Sequence, residues 1–184
     1  LAHPKGGIMN IDVLSFGRLA YRVFEEVGQD ARVVLDDEGK NLVLRKIAGE
    51  CEKDLKVFKG NLKKQGYISE VKSVLSEFAQ YGVDFERLDD FMKEVPPESY
   101  LHYKLDDIRT IYEKFEEYLS EKYITKEEML DVLSDAVPYS DILKGSVVAM
   151  DGFTGFTPVQ NRLIGELFSV CEKVMITVTM DGRE

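Results

Sequence analysis

Residues 146–158 read SVVAMDGFTGFTP and join a strand pattern to a turn and then to the start of a helix. Residues 147–150 form a continuous apolar run, which is typical of a strand buried in a parallel sheet. Thr157 suits the cap of the following helix, and Pro158 suits its first position. A second apolar run, at residues 174–178, follows that helix. The pattern predicts a strand, a helix and another strand in this part of the chain.

The beginning of the chain has the same order of elements. Residues 11–16 form a short β-prone run, and the apolar spacing becomes helical over residues 18–27. Ser15 is a suitable N-cap at the junction. Strands that alternate with helices at both ends of the chain predict an α/β fold with a parallel sheet.

The middle of the chain has helical apolar spacing almost throughout. Asp36 or Asp37 can cap a first helix, which the pattern extends to residue 58. Thr125 and Glu128 match a capping box that opens the last of these helices. The spacing therefore predicts an all-helical segment between the two α/β segments.

This organisation divides the chain into two parts. Residues 1–28 and 146–184 are predicted to form a partial α/β domain, and residues 29–145 a large helical subdomain inserted in it. Parallel strands are normally covered on both faces and flanked by further strands, so a sheet of about three strands is thin. We therefore expect the sequence to be an internal piece of a larger protein.

The charge excludes some classes of function. Lys and Arg number 24 against 34 Asp and Glu, a net charge of −10, which argues against non-specific coating of DNA or of an anionic membrane. No apolar run approaches the roughly 20 residues of a membrane span, and no signal-peptide pattern is present. Cys51 and Cys171 lie far apart and are expected to be core residues in a reducing, cytoplasmic setting.

Several charged groups are expected to be solvated helix faces or caps. One is the densest basic stretch, which consists of Lys53, Lys56, Lys59, Lys63 and Lys64. It could follow a phosphate backbone, but Glu50, Glu52 and Asp54 interleave with it, so a solvated face is the favoured interpretation. The others are four acidic pairs: Asp36–Asp37, Asp89–Asp90, Asp106–Asp107 and Glu116–Glu117.

Asp151 ends the apolar strand of residues 147–150. Nucleotide-hydrolysing α/β domains hold Mg²⁺ with an Asp in this position, but a turn Asp that caps the amide of Phe153 or Thr154 is the favoured interpretation of the local pattern. Gly152 follows where an active helicase usually has an acid, and no GxxxxGK[ST] phosphate loop is present. We therefore predict no catalytic residue, no metal site, no cofactor and no ATP hydrolysis in this chain, with Asp151 at a vestigial Mg²⁺ position.

Five residues are candidates for contact with DNA. Phe16, Arg18 and Tyr21 lie at the carboxyl end of the first predicted strand, the edge where open α/β sheets bind ligands. Arg18 can pair with a phosphate, and the aromatic rings can stack on unpaired bases. Core packing is an equally good interpretation for Phe16 and Tyr21. For Phe153 and Phe156, packing in a hydrophobic turn is the stronger interpretation.

Two stretches resemble a known family. IDVLSFGRLAYRVF at residues 11–24 is similar to the strand and helix after the first helicase motifs of AddB (RexB-type) subunits of bacterial ATP-dependent helicase–nucleases. MDGFTGFTPVQ at residues 150–160 resembles the decayed acidic motif of the same family. KLDDI at residues 104–108 and IYEKF at 111–115 extend the resemblance into the helical middle.

The resemblance implies a fold and a role. The α/β segments would be part of a RecA-like (P-loop NTPase type) domain of a superfamily-1 helicase, with a layout similar to RecC and UvrD-like proteins. The family pairs with an AddA-type motor and nuclease subunit and processes DNA double-strand breaks for recombination and repair. Its helicase half guides single-stranded DNA without translocating. Any ATP with Mg²⁺, the iron–sulfur cluster and the nuclease motifs of the parent would lie outside this sequence.

A second hypothesis belongs to another class of protein. The chain could instead be a helical protein-interaction module on a vestigial α/β base, with no contact to DNA. The acidic middle segment favours this alternative slightly, whereas the aromatic residues around Arg18 and the family motifs favour a strand-guiding role.

Overall fold

The computed structural model describes residues 10–28, 32–62, 64–120 and 122–179. Residues 1–9 and 180–184 of the predicted α/β domain, and Lys63 of the basic stretch, lie outside them. Within these ranges helices predominate, and four strands form two separate parallel pairs. The elements in chain order are α1 (Phe16–Val27), β1 (Val33–Leu35), α2 (Asp37–Cys51), α3 (Gln65–Tyr81), α4 (Phe85–Glu94), α5 (Tyr100–Leu119), β2 (Tyr123–Thr125), α6 (Lys126–Ala136), a 3₁₀ helix (Val137–Tyr139), β3 (Val147–Phe153), α7 (Pro158–Val170) and β4 (Lys173–Val178).

The strand, helix and strand predicted near the end of the chain are confirmed. β3 and β4 run parallel, with Val147 opposite Lys173 and Met150 opposite Ile176. α7 connects them and begins at Pro158, where Thr157 and Gln160 form a capping box. Parallel neighbours need such a crossover because a tight turn can join only antiparallel strands.

The strand predicted at residues 11–16 does not form. Residues 10–15 have no regular structure, and α1 begins at Phe16, with Ser15 as its N-cap as predicted. Ile11 is 68% exposed and Val13 90% exposed. A β-strand exists only through hydrogen bonds to a neighbour, and none of the described strands pairs with this segment, so its β-prone composition alone does not order it.

The first helix of the middle segment is shorter than predicted. α2 is capped by Asp36 and ends at Cys51 instead of residue 58. Asp107 on α5, which is 1% exposed, holds residues 56–58 outside the helix. Its carboxylate accepts backbone N–H bonds from three consecutive residues, Lys56 (2.8 Å), Val57 (2.7 Å) and Phe58 (2.8 Å). These N–H groups therefore cannot donate to carbonyls four residues earlier, as a helix requires. The expectation that Asp107 is solvated is wrong.

The middle segment is not entirely helical. β1 and β2 form a parallel pair, in which Val33 lies opposite Tyr123 and Leu35 opposite Thr125. A strand of three residues is too short to show an alternating pattern, so the sequence did not reveal this pair. The predicted capping box of Thr125 and Glu128 is confirmed at the start of α6.

The buried apolar side chains form two main cores. The first core lies among α2, α3 and α5, and the second gathers α1, α6, α7 and the β3–β4 sheet. Met129 and Leu133 of α6 belong to the second core, together with Ala20 of α1 and Leu163 of α7. The division into an inserted subdomain and a split α/β domain stays a prediction, and α6 packs with the elements on either side of the predicted insertion.

Two further expectations concern single features. Cys51 is buried and Cys171 half-buried, and both are free thiols. Across the described ranges, no helix is long and apolar enough to cross a membrane.

Replacing Asp107 tests its role as the anchor of the segment after α2. We expect Asp107→Ala to lower the free energy of unfolding by about 3 kcal/mol, roughly 1 kcal/mol for each N–H that loses its acceptor. The measurement is urea denaturation followed by circular dichroism.

The neighbouring residue provides a matched control. Asp106 makes an exposed ion pair with Lys56, so Asp106→Ala should leave the midpoint nearly unchanged. Equal effects of the two substitutions would show that the buried hydrogen bonds of Asp107 are not important for stability.

Candidate nucleic-acid interface

Three of the five predicted DNA-contacting residues lie together. The ring centroids of Phe16 and Phe153 are 5.7 Å apart at an interplanar angle of 44°, and those of Phe153 and Phe156 are 4.8 Å apart at 32°. We call these three residues the aromatic cluster. All three rings are half-buried against the second core, so each contributes to packing and keeps some exposed surface.

An irregularity in β3 places the cluster at the carboxyl end of the sheet. Gly152 has a φ of +83°, a conformation that glycine adopts readily. The ladder is interrupted after Met150, and Phe153 pairs again opposite Val178. The carbonyl of Phe153 also accepts a 2.8 Å hydrogen bond from the amide of Thr179. The end of the strand is therefore fixed, and the ring of Phe153 with it.

Two helix N-termini flank the aromatic cluster. Phe16 is the first residue of α1, and Phe156 lies two residues before the first residue of α7. Neither helix has an acidic residue in its first turn. The partial positive charge at the start of both helices is therefore not neutralised by a carboxylate. The start of α1 suits the binding of a phosphate group, whereas at α7 Pro158 has no N–H and the capping box occupies the amides of Thr157 and Gln160.

The other two predicted residues lie on a different side of α1. Arg18 follows Phe16 by two residues, which corresponds to about 200° around the helix axis. Arg18 is exposed, as is Tyr21, at 57%. Next to them Arg22 forms an ion pair with Asp12 at 2.5 Å. The structure thus brings the three Phe rings together and leaves Arg18 and Tyr21 outside the cluster.

Asp151 is exposed on β3 and its carboxylate accepts a hydrogen bond from the hydroxyl of Thr177 on β4. The side chain thus links the two strands. In the described part of the chain, no group of three His, Cys, Asp or Glu residues lies close enough to hold a metal ion. A Mg²⁺ site at Asp151 would lack further protein ligands from these residues.

The cofactors of the parent family do not fit this chain. An iron–sulfur cluster is held by four thiolates, whereas the sequence has two cysteines, one associated with each core. A nucleotide would need the glycine-rich phosphate loop that the sequence lacks.

A second polar site lies among α2, α3, α5 and α6. Lys40, which is 3% exposed, donates to Glu127 at 2.7 Å and to Ser76 at 3.2 Å. Next to this pair is a cavity of about 20 Å³, which Glu116 and Glu128 also line. That volume holds a single water molecule, so the site cannot take a substrate.

The carboxyl of Glu116 is the most perturbed acid of this site. Burial, with a smaller contribution from the negative charge of Glu128, raises the pKa of Glu116 to about 7. The carboxylate of Glu128 is occupied by the capping box, where it accepts from the amide and the hydroxyl of Thr125. Glu116 was expected on a solvated helix face or at a cap, and it is instead half-buried beside the cavity.

The sequence reasoning missed two buried charges. Lys40 lies three and four residues before the buried Val43 and Leu44, so helical spacing alone places it on the apolar face of α2. For Asp107 the signal was the same, because it directly precedes buried Ile108 and lies four residues before buried Ile111. For Asp107 the charge outweighed the position in the prediction, and no prediction was made for the burial of Lys40.

Comparison with known proteins identifies relatives along nearly the whole chain. The family model described as "ADDB, N-terminal" matches residues 1–184. Proteins named as the B subunit of an ATP-dependent helicase/deoxyribonuclease are 46% identical over 182 residues in Lachnoclostridium phytofermentans, 36% over 175 residues in Alkaliphilus metalliredigens and 38% over 173 residues in Thermoanaerobacter sp..

The matches cover 99%, 95% and 94% of this chain, respectively. They cover 16%, 15% and 15% of the relatives. The chain therefore spans about a sixth of the length of the curated relatives it matches.

The raised pKa of Glu116 predicts a pH-dependent stability. Below pH 4.5 the carboxyl is protonated in both states; as the pH rises from 4.5 to about 7, the unfolded chain loses the proton and the folded chain keeps it. Stability due to this group therefore falls across that window and stays constant above it. At about pH 8 we expect the free energy of unfolding of Glu116→Gln to exceed that of the wild type by up to about 3 kcal/mol. Below pH 4.5 we expect the two proteins to have the same free energy of unfolding.

The adjacent Glu117 is exposed and serves as the control. Urea denaturation across this pH range should give Glu117→Gln a constant offset from the wild type. A pH profile of Glu116→Gln that is parallel to that of the control would disprove the assignment.

Proposed function

Because the chain belongs to the family of AddB N-terminal regions, we propose that it is the helicase-like portion of the AddB-type component of an ATP-dependent helicase–nuclease. That enzyme processes DNA double-strand breaks for recombination and repair in the cytoplasm. It does so together with an AddA-type motor and nuclease subunit. The role of this chain is to bind one unpaired DNA strand.

The β3–α7–β4 unit supports the proposed RecA-like fold. Two parallel strands are joined by a helix, and an exposed Asp lies near the carboxyl end of the first. In open α/β sheets the carboxyl ends of the strands are where ligands bind. The unit would be one part of a larger parallel sheet, which agrees with the small share of the relatives' length that the chain spans.

The aromatic cluster between two helix N-termini carries the DNA-binding proposal. Stacking of an unpaired base on an aromatic ring contributes about 1–3 kcal/mol and does not depend on the identity of the base. The acid-free first turn of α1 would receive a phosphate next to that base. A surface of this kind binds a strand without recognising its sequence.

Arg18 and Tyr21 would contact the strand beyond the aromatic cluster. Both are exposed on α1, and Arg18 makes no ion pair within the described ranges, so its guanidinium is available to a phosphate. A strand that crosses the N-terminus of α1 would meet the aromatic cluster on one side of the helix and Arg18 on the other.

The chain is proposed to lack ATPase activity. The phosphate loop is absent from its sequence, and Gly152 has no side chain to position an attacking water. Asp151 is engaged with Thr177. ATP hydrolysis would then be the task of the partner motor subunit, and this chain would guide the strand that the motor pulls.

One observation favours the second candidate, a protein-interaction module. The side of the β3–β4 sheet away from α7 exposes Val147 at 58% and Met175 at 41%. Parallel strands are normally covered on both faces, so this face suits contact with another protein segment. This second candidate makes no contact with DNA, so a DNA-binding measurement distinguishes the two functions.

Substitution of Phe156 tests the aromatic cluster. We expect labelled oligothymidylate to bind the wild type at low salt, and Phe156→Ala to weaken it by about 5- to 150-fold, the loss of one stacked base. Arg18→Ala should weaken it less and reduce the dependence of log K on log salt by about 0.7. Fluorescence anisotropy measures both.

Phe168 provides the matched control because it is an aromatic residue of α7 that is 58% exposed and not part of the aromatic cluster. Phe168→Ala should bind like the wild type, and circular dichroism checks that every variant is folded. Absence of binding by the wild type would favour the interaction module. Equal losses for Phe156→Ala and Phe168→Ala would remove the aromatic cluster as the site.

A further inference from the structure

The segment between α2 and α3 presents lysines from a fixed backbone. We call residues 53–62 the lysine loop. Its side chains separate into two sets. The lysines are exposed, at positions 53, 56 and 59, and three apolar residues are buried in the first core: Leu55, Phe58 and Leu62. The outward and inward positions therefore interleave along the loop.

The backbone of the lysine loop is held at both ends and in the middle. The amide of Asp54 donates to the carbonyl of Cys51 at 2.8 Å, and the amide of Asn61 to that of Phe58 at 2.9 Å. Between these turns, Asp107 accepts the three consecutive N–H bonds described above. A loop that is anchored by a buried carboxylate has its backbone ordered before any ligand arrives, which lowers the entropic cost of binding.

The lysine loop is basic within an acidic chain. Residues 53–62 contain three lysines and one acidic residue, Asp54, although Glu50 and Glu52 precede them and the whole chain carries −10. Lys56 is paired with Asp106 at 2.8 Å and lies over the ring of Tyr103. Lys53 and Lys59 make no ion pair within the part of the chain that the structure describes, so their charges are free to meet an external anion.

We infer that the lysine loop binds the sugar–phosphate backbone of a nucleic-acid strand through Lys53 and Lys59. This inference deepens the proposed function and rests on it, since DNA is the ligand in both. The ligand group is the phosphate, so this contact does not need bases. The aromatic cluster does need them, and the two surfaces can therefore be separated by the choice of probe.

The experiment compares two probes of equal length, about 16 nucleotides, the upper end of the site size of a single-strand-binding domain. One is oligothymidylate, and the other is an abasic oligomer with the same backbone. We expect the double variant Lys53→Gln/Lys59→Gln to bind both probes more weakly. The slope of log K against log salt should decrease in magnitude by about 1.4, or 0.7 for each lost contact to a single strand.

The matched control removes two lysines at the amino-terminal end of the β3–β4 sheet, Lys144 and Lys173, which are exposed and make no ion pair within the described ranges. Lys144→Gln/Lys173→Gln should retain the wild-type slope. The inference is overturned if the two double variants have the same slope of log K against log salt, or if the abasic oligomer does not bind the wild type. An acidic protein surface would then be the better ligand for the lysine loop.

Phe156→Ala distinguishes this inference from the proposed function. It should weaken oligothymidylate alone, because the abasic oligomer offers nothing to stack. One outcome is that Phe156→Ala weakens the binding of oligothymidylate and Lys53→Gln/Lys59→Gln has no effect. This outcome would support the proposed function and overturn the inference that the lysine loop binds phosphates. The reverse pattern would support the lysine loop and overturn the aromatic cluster.

Discussion

Helix α6 packs its apolar face against α1 and α7, and this burial connects the beginning of the chain to its end. Leu133 and Ala136 are fully buried in the second core. On the other side of the helix, Glu127 reaches Lys40 of α2, which belongs to the helical part. Without α6 the N-terminal helix and the β3–β4 sheet would share few contacts, and Phe16 would have no fixed position beside Phe153.

Two buried charges shape the helical part, and each has a full set of partners. Asp107 satisfies three backbone N–H groups, and Lys40 is paired with Glu127 and Ser76. Burial of a charge is costly unless it is paired in this way. Asp107 also affects geometry, because its bonds keep residues 56–58 out of a helix and set how the lysine loop is presented.

The features proposed for DNA binding arise where regular structure stops. The aromatic cluster lies at a bulge and two helix starts, and the lysine loop lies between two helices. Loops that are fixed by a rigid scaffold often carry function because their side chains are exposed and their backbone is not needed for pairing. The net charge of −10 is therefore compatible with a nucleic-acid ligand, provided that the contacts are local.

The sequence alone determined the helices with clear caps, the β3–α7–β4 unit and the grouping of Phe153 with Phe156, because caps, turns and periodicity are local properties. It could not show that residues 11–16 pair with none of the described strands or that β1 pairs with β2, since pairing depends on segments distant in sequence. The position of Phe16 beside Phe153, the burial of Asp107 and the enclosure of Glu116 were likewise decided by the tertiary structure. Only the packing of separate helices sets which charges lose contact with water and which side chains meet.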